Sequence, residues 1–161
     1  MEQNLVIGHV GRFDAQKNHT FLLDIFSECV NIVPNARLLL VGDGEGRTQI
    51  QEKAKSLGLE EKVIFTGVRN DVADLLQAMD VFVFPSLYEG VPVTMIEAQA
   101  SGLPCVISDG VPKDCVITSG LVTSMKLSDR PCDWAKHIAA QLNRKRENQI
   151  GRASCRERVF K

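Results

Sequence analysis

Residues 84–104 read F-P-S-L-Y-E-G-V-P-V-T-M-I-E-A-Q-A-S-G-L-P, and this stretch decides the fold because strand, loop and helix signals follow one another within it. The apolar run at 80–84 has the valine and phenylalanine content of a buried strand. Proline and glycine then predict a loop. Pro92 suits the first position of a helix, and Gly102 is predicted to end that helix.

A strand, a short loop and a helix N-terminus together predict an anion site, because free backbone N–H groups and the positive end of the helix dipole face one place. Pro92 has no N–H, so the predicted donors are Gly90, Val91 and Val93. Two carboxylates flank this place, Glu89 in the loop and Glu97 in the helix.

Glu89 and Glu97 have seven residues between them in the frame E-G-V-P-V-T-M-I-E. This spacing resembles the E-x7-E signature of retaining glycosyltransferases of the GT-B fold, a group that includes capsular and exopolysaccharide enzymes. The resemblance implies that Glu89 is the catalytic residue that meets the donor sugar, and that Glu97 binds the ribose hydroxyls. It also implies that the amides between them bind the phosphates or the sugar. The alternative is that both glutamates are solvated helix-surface residues.

Composition fits one domain: the chain has 161 residues, 44% of them hydrophobic, which can bury a sizeable core. The formal net charge of −1 gives no indication of a nucleic-acid partner or an anionic membrane surface. Five cysteines without a C-x-x-C pair or a histidine cluster argue against zinc and against a disulfide framework. A reduced, cytoplasmic setting is therefore predicted, and no apolar run approaches the ~18 residues of a membrane helix.

The order of elements predicts an α/β fold, a Rossmann-like doubly wound parallel sheet that would be one half of a GT-B fold. Predicted strands are 5–10, 36–41, 62–66, 80–84 and 104–108. The helices between them are predicted at 20–33, 46–57, 71–78 and 92–101. A short last strand within 117–122 and a helix capped by Ser128 are expected to follow, the helix with its apolar face at Trp134, Ile138 and Leu142.

Two cations follow the first strand in G-R-F-D-A-Q-K-N-H, which begins at Gly11. Arg12 and Lys17 match the G-R-x(4)-K element of the same family, whose cations bind the donor diphosphate, and Gly11 is placed with them. A guanidinium and an ammonium can embrace one pyrophosphate, although two solvated surface cations are the alternative. His19 is predicted to order this loop or cap the helix that follows, and not to act as a base.

Two further loops lie at strand ends. Residues 42–46 read G-D-G-E-G, which is not the spacing of a dinucleotide fingerprint, so ligand contact and a simple tight turn both stay open. After the third strand, Val68 and Arg69 occupy the segment that in the family passes beside the nucleobase, and uracil is favoured. An ordinary strand-to-helix connection, with Asn70 or Asp71 as the N-cap, accounts for the same residues.

Residues 1–149 are thus predicted to be the donor domain of a retaining glycosyltransferase that uses a UDP-sugar to transfer a hexose or N-acetylhexosamine in polysaccharide biosynthesis. Residues 150–161 show no helical periodicity and resemble the translation of a sequencing adaptor, so a foreign tail is predicted, a native basic tail being the alternative. The N-terminal acceptor domain is expected to be absent, which leaves the isolated chain inactive.

The resemblance implies no metal and no cofactor, because cations and a helix dipole can neutralise the diphosphate. The implied partners are the sugar nucleotide, the missing acceptor domain, and an acceptor glycan or lipid-linked sugar, without nucleic acid. The protein is expected to be cytoplasmic, with any membrane contact made by the missing domain. The alternatives are a sugar-nucleotide epimerase domain, a non-catalytic nucleotide-binding module, and a flavodoxin-like signalling domain, which would need acidic residues where Arg12 and Lys17 stand.

Overall fold

A six-stranded parallel sheet forms the centre of the computed structural model, which describes residues 4–143 and 152–160. Its strands are β1 (Leu5–Val10), β2 (Ala36–Val41), β3 (Val63–Gly67), β4 (Val81–Phe84), β5 (Cys105–Ser108) and β6 (Val122–Met125). They lie in the order β3-β2-β1-β4-β5-β6, and every neighbouring pair is parallel. The prediction of a doubly wound parallel sheet is confirmed.

Helices cover both faces of the sheet. They are α1 (His19–Ile32), α2 (Arg47–Ser56), α3 (Val72–Ala78), α4 (Val93–Ala100), α5 (Pro131–Leu142) and α6 (Arg152–Phe160). Three single 3₁₀ turns, at Ala15–Lys17, Glu60–Lys62 and Lys113–Cys115, complete the regular structure. Within the described residues, no helix has the length and apolar character needed to cross a bilayer.

The core has two layers because successive side chains of a strand point to opposite faces. On β2, for example, Leu38 and Leu40 pack with α1, α2 and α5, whereas Leu39 and Val41 pack with α3 and α4. Strands buried on both faces need continuous apolar runs, and this is why the strands could be read from the sequence.

Three local predictions need correction. Pro92 is the N-cap of α4 and not its first residue, with φ −78° and ψ 91°. The last strand, β6, begins at Val122, so Ile117 and Thr118 lie outside it. Ser128 does not cap α5. This helix begins at Pro131 and its N-cap is Arg130, because proline is favoured at the first position of a helix.

The C-terminal segment also differs from the prediction of no helix. Arg152–Phe160 forms α6, which packs on α3. Its Arg156 guanidinium binds the carboxylate of Asp80 and the carbonyl of Ala78. The Arg156–Asp80 pair holds this helix together with the buried Cys155 and with Val159, which packs on the core. Two apolar positions are too few for a periodicity test to find the helix. The foreign origin of residues 150–161 stays a prediction, and residues 144–151 and 161 lie outside the described part.

Candidate functional site

Lys17 and Glu89 meet at the carboxyl ends of β1 and β4, the edge where open parallel sheets bind ligands. Lys17 Nζ lies 2.6 Å from Glu89 Oε1, and the side chains are only 19% and 6% exposed. The ammonium also stands 5.0 Å from the centre of the Phe84 ring. The two motifs that the sequence suggested separately are therefore one charged unit. Their pairing was missed, although β1 and β4 being neighbours would have indicated it.

Besides the Lys17–Glu89 contact, three hydrogen bonds join the loop after β1 to the loop after β4. The amide N–H of Leu87 donates to Gln16 O (2.8 Å), and Gln16 Nε2 donates to Tyr88 O (3.0 Å). Asn18 Nδ2 donates to Pro85 O (3.0 Å) from a left-handed backbone position with φ 59°, which asparagine tolerates better than most residues. Gln16 and Asn18 connect the two loops of the candidate site, and sequence reasoning missed them because amide-to-backbone bonds leave no spacing signal.

The N-terminus of α4 lies directly after this loop, as predicted. Within the described part of the chain, the N–H groups of Gly90, Val91 and Val93 have no hydrogen-bond acceptor. Val91 and Val93 are 73% and 61% exposed, so this end of the helix is open to a ligand. Glu97 is exposed and stands one turn along the same helix face as Val93, which leaves its carboxylate free to meet a second part of that ligand.

Arg12 is exposed and takes no part in the Lys17–Glu89 ion pair. It lines a cleft of about 500 Å³ that also includes Asn18, His19, Glu45 and Gln49 but neither Lys17 nor Glu89. Among residues 4–143 and 152–160, its guanidinium has no ion pair or hydrogen bond. The structure therefore presents Arg12 as an available cation, beside the pair and not within it.

The glycine-rich segment after β2 lies against the loop after β1. Phe13 N donates to Asp43 O (3.1 Å), and Gly46 N donates to Phe13 O (3.0 Å). A Cβ on Gly42, whose φ is +133°, would lie 2.2 Å from Gly11 O. Close approach of two backbones accounts for the glycines, which is a third explanation beside the ligand contact and the tight turn that the sequence suggested.

Gly11 is a crossing point for the Lys17 side chain. A Cβ there would lie 3.0 Å from His9 Nε2 and 3.2 Å from Lys17 Cδ. Because glycine leaves that space free, the lysine stem can pass over the strand end towards Glu89. The packing explains the glycine without a ligand, and its predicted donor contact stays a prediction.

Val68 and Arg69 follow β3, which is three strand spacings or about 14 Å from β4. Val68 is 76% exposed. The Arg69 guanidinium makes a two-point ion pair with Asp71 at 2.8 and 2.7 Å, so its side chain is occupied and its backbone remains open. The structure does not bring these residues to the ion pair; they lie at the far end of the same edge.

Two neutral histidines lie beneath the joined loops. His9 is fully buried and its Nδ1–H donates to Val83 O (2.9 Å), while the His19 ring stacks on Phe13 at 4.2 Å and meets His9 edge-on at 4.7 Å. Burial lowers the pKa of His9 to about 4 and the pKa of His19 to about 2. Because both rings stay uncharged, they support the loops; the prediction that His19 orders this loop is consistent with that position.

In chemical terms, the part of the edge next to β1 and β4 offers the mostly buried Lys17–Glu89 pair, the Arg12 guanidinium, which is unpaired in the described part of the chain, and the open N-terminus of α4. Such groups can receive a diphosphate and a polyhydroxyl ligand. Within the described residues, no group of three or more His, Cys, Asp and Glu side chains is arranged to hold a metal ion.

The fold and this edge define the class of the chain: it is a Rossmann-like domain of the GT-B glycosyltransferase type. Residues 4–144 match the family described as Glycosyl transferases group 1, and the chain belongs to that family. The sequence resemblance to GT-B glycosyltransferases is thereby confirmed.

Relatives and solved structures agree with this assignment. The chain is 44% identical over 135 residues to EpsF of Bacillus subtilis (strain 168), which is named as a glycosyltransferase. This match covers 84% of this chain and 35% of EpsF. The chain is 34% identical over 117 residues to an Escherichia coli UDP-Gal:alpha-D-GlcNAc-diphosphoundecaprenol alpha-1,3-galactosyltransferase, covering 71% of this chain and 30% of that enzyme.

The crystal structure of Anabaena HepE in complex with UDP-glucose superposes with a TM-score of 0.76 at 24% identity. The match covers 98% of this chain and 45% of HepE. At this identity the likeness shows the fold. The chain thus spans about a third of the length of its first relative and less than half of this structural neighbour.

Proposed function

We propose that this chain is the donor-binding domain of a retaining glycosyltransferase that transfers a hexose or N-acetylhexosamine from a UDP-sugar in polysaccharide biosynthesis. The observation that carries the proposal is the Lys17–Glu89 pair beside the open N-terminus of α4. The names of two relatives support it, since one is a UDP-Gal-dependent galactosyltransferase and another is a Vi polysaccharide biosynthesis protein of Salmonella typhi.

In the proposed complex, the diphosphate lies between Lys17, Arg12 and the amides at the start of α4. Lys17 is an ammonium with three donors, one of which is directed at Glu89, so two remain for phosphate oxygens. Glu89 is then held beside the donor sugar, Glu97 takes the ribose hydroxyls, and the backbone at Val68 and Arg69 meets the uracil.

We also propose that donor binding needs no divalent metal. Arg12 carries a positive charge that no carboxylate of the described residues offsets, and Lys17 keeps two donors beyond its bond to Glu89. With the partial positive charge of the helix end, these groups can bind the phosphate oxygens without a bridging metal ion. UDP affinity measured in EDTA should then equal the affinity measured with magnesium. A clear loss in EDTA would show that the metal and not the protein neutralises the diphosphate.

Calorimetry on the chain tests the assignment. UDP should bind to this domain alone with a Kd of about 10 µM to 1 mM, because we propose that the domain supplies one wall of a two-domain cleft. Lys17→Ala should weaken UDP by about 1–3 kcal/mol with little loss for uridine, which has no diphosphate. Lys55→Ala, at an exposed position of α2, is the matched control and should leave both ligands unchanged. Equal losses for UDP and uridine in Lys17→Ala would contradict the diphosphate role.

A protein in which this chain is joined to an acceptor domain would allow sugar transfer and UDP binding to be measured separately. We propose that an acceptor domain, with an acceptor glycan or lipid-linked sugar, restores transfer that the isolated chain lacks, and that any membrane contact belongs to that domain. In the joined protein, Glu89→Gln should abolish transfer while UDP affinity holds or rises, because Lys17 is released from its pair. Binding without transfer across sugar-nucleotide donors would instead indicate a nucleotide-binding module.

A further inference from the structure

A buried glutamine on α4 is bonded to the segment that follows β5. Gln99 is 3% exposed. Its Nε2 donates to Cys115 O (2.8 Å) and to Met95 O (3.3 Å), and its Oε1 accepts from Ile117 N (2.8 Å) and Thr118 N (3.0 Å). The amide side chain is fully used, as donor on one atom and as acceptor on the other.

Gln99 and Glu97 divide the two sides of α4. Two positions along a helix correspond to a rotation of about 200°. Glu97 accordingly stands on the exposed side and Gln99 on the buried one. Glu97 is thus available to a ligand, whereas Gln99, two positions later, faces the protein interior.

The segment that Gln99 holds, residues 109–118, in turn supports the loop that carries Glu89. The amide N–H of Glu89 donates to Gly110 O (3.1 Å), and Cys115 Sγ lies 3.9 Å from Gly90 O. A Cβ on Gly110 would stand 2.3 Å from Leu87 O, so the two segments are in direct backbone contact. Residues 109–118 therefore support Glu89 and Gly90 from one side.

We propose that Gln99 is a positioning residue of the donor site, acting through residues 109–118 on Glu89 and Gly90 without touching the donor. The inference rests on the proposed function for its ligand. Gln99 does what neither a carboxylate nor an apolar side chain could do, because it donates hydrogen bonds to two carbonyls and accepts them from two amides. Without it, the three backbone groups at 115, 117 and 118 lose their partner and the segment is free to move off the loop.

The test combines amide hydrogen exchange and UDP calorimetry on the Gln99→Met variant, which keeps a similar shape but neither donates nor accepts strongly. The amides of Ile117 and Thr118 should exchange faster, and so should the amide of Glu89, by about tenfold. The amide of Leu87 is an internal control, because it donates to Gln16 O on the other side of the loop. UDP affinity should fall by about five- to tenfold.

Gln51→Met makes the same change at an exposed position of α2 and should leave exchange at Glu89 and UDP affinity unchanged. Gln99→Glu keeps the acceptor for the two amides and should fall between wild type and Gln99→Met; it carries both measurements if Gln99→Met does not fold. Faster exchange confined to residues 117–118, with exchange at Glu89 and UDP affinity as in wild type, would overturn the proposal. Wild type that does not bind UDP would contradict the proposed function, whereas the exchange at Glu89 would still decide the role of Gln99.

Discussion

The loops after β4 and after β2 lie on the same edge of the sheet but are fixed in different ways. The loop after β4 makes backbone hydrogen bonds too, but three side chains of the loop after β1 also reach across to it, those of Lys17, Gln16 and Asn18. Backbone contacts hold residues 42–46, where glycine lets two main chains touch. A side chain that joins two loops can exchange its protein partner for a ligand, whereas a contact between two backbones only fixes the position of the loops. We therefore expect ligand binding at the loop after β4 and not at the loop after β2.

Breaking the backbone contact of residues 42–46 should have the largest effect. Gly42→Ala places a Cβ 2.2 Å from Gly11 O at a backbone φ of +133°, so both a clash and strain result. The free energy of unfolding, measured by urea denaturation, should fall by about 3–5 kcal/mol. Gly120→Ala is the control, since a Cβ there meets nothing within 4 Å, and should cost under about 1 kcal/mol. Equal stability of the two variants would mean that the loops can separate without cost.

Acid should lower the free energy of unfolding through the two buried histidines beneath the Lys17–Glu89 pair. His9 and His19 have folded-state pKa values of about 4 and about 2, below the ordinary 6.5, so the unfolded chain binds more protons and stability is lost as the pH falls from 7. From pH 7 to 5, the free energy of unfolding should fall by about 3–4 kcal/mol for the two rings together.

His19→Phe, which keeps a ring against Phe13, should remove about half of that pH dependence. Urea denaturation at both pH values measures the slope. An unchanged slope in His19→Phe would show that His19 is protonated in the folded state.

The Lys17–Glu89 pair itself should be worth less than the backbone contact of residues 42–46. A double-mutant cycle of Lys17→Met and Glu89→Gln should give a coupling free energy of about 1–3 kcal/mol, because the pair is mostly buried. The coupling should persist at about 0.5 M salt, which screens exposed pairs more strongly. A coupling near zero would mean that Lys17 and Glu89 are independent in solution and that Lys17 is as free as Arg12.

Arg12 should contribute least to stability. It is exposed and has no partner in the described part of the chain, so Arg12→Ala should change the free energy of unfolding by less than about 0.5 kcal/mol. In calorimetry the same variant should weaken UDP by about 1–3 kcal/mol. Loss of stability without loss of UDP affinity would reverse the proposed roles of the two cations.

Much of the fold could be predicted because its strands are buried on both faces. The run Leu5–Val10 matches β1 residue for residue, and Ala36–Val41 matches β2. Prediction failed where burial is one-sided or charge decides. The start of β6 is only half-buried, and the start of α5 depends on Pro131. The helix α6 combines the Arg156–Asp80 pair with only two apolar contacts, those of Cys155 and Val159.

The candidate site shows the same division. Lys17, Glu89 and the start of α4 could be placed at one edge from the sequence, since each follows a strand. Their mutual geometry could not, because the strand order decides which loops touch. Spacing along the chain did not indicate that Lys17 bonds Glu89, nor that Arg12 faces a separate cleft.

Strand order also determines when the charged unit can form. Lys17 and Glu89 are 72 positions apart, and they meet only after β4 has paired with β1. The pairs β1–β2 and β2–β3 need no residue beyond 67, so half of the sheet can assemble earlier in synthesis. Closing the longer loop costs more chain entropy and slows folding. During translation, β1, β2 and β3 can therefore pair before the candidate site exists, because Lys17 finds Glu89 only after residues 81–89 have left the ribosome.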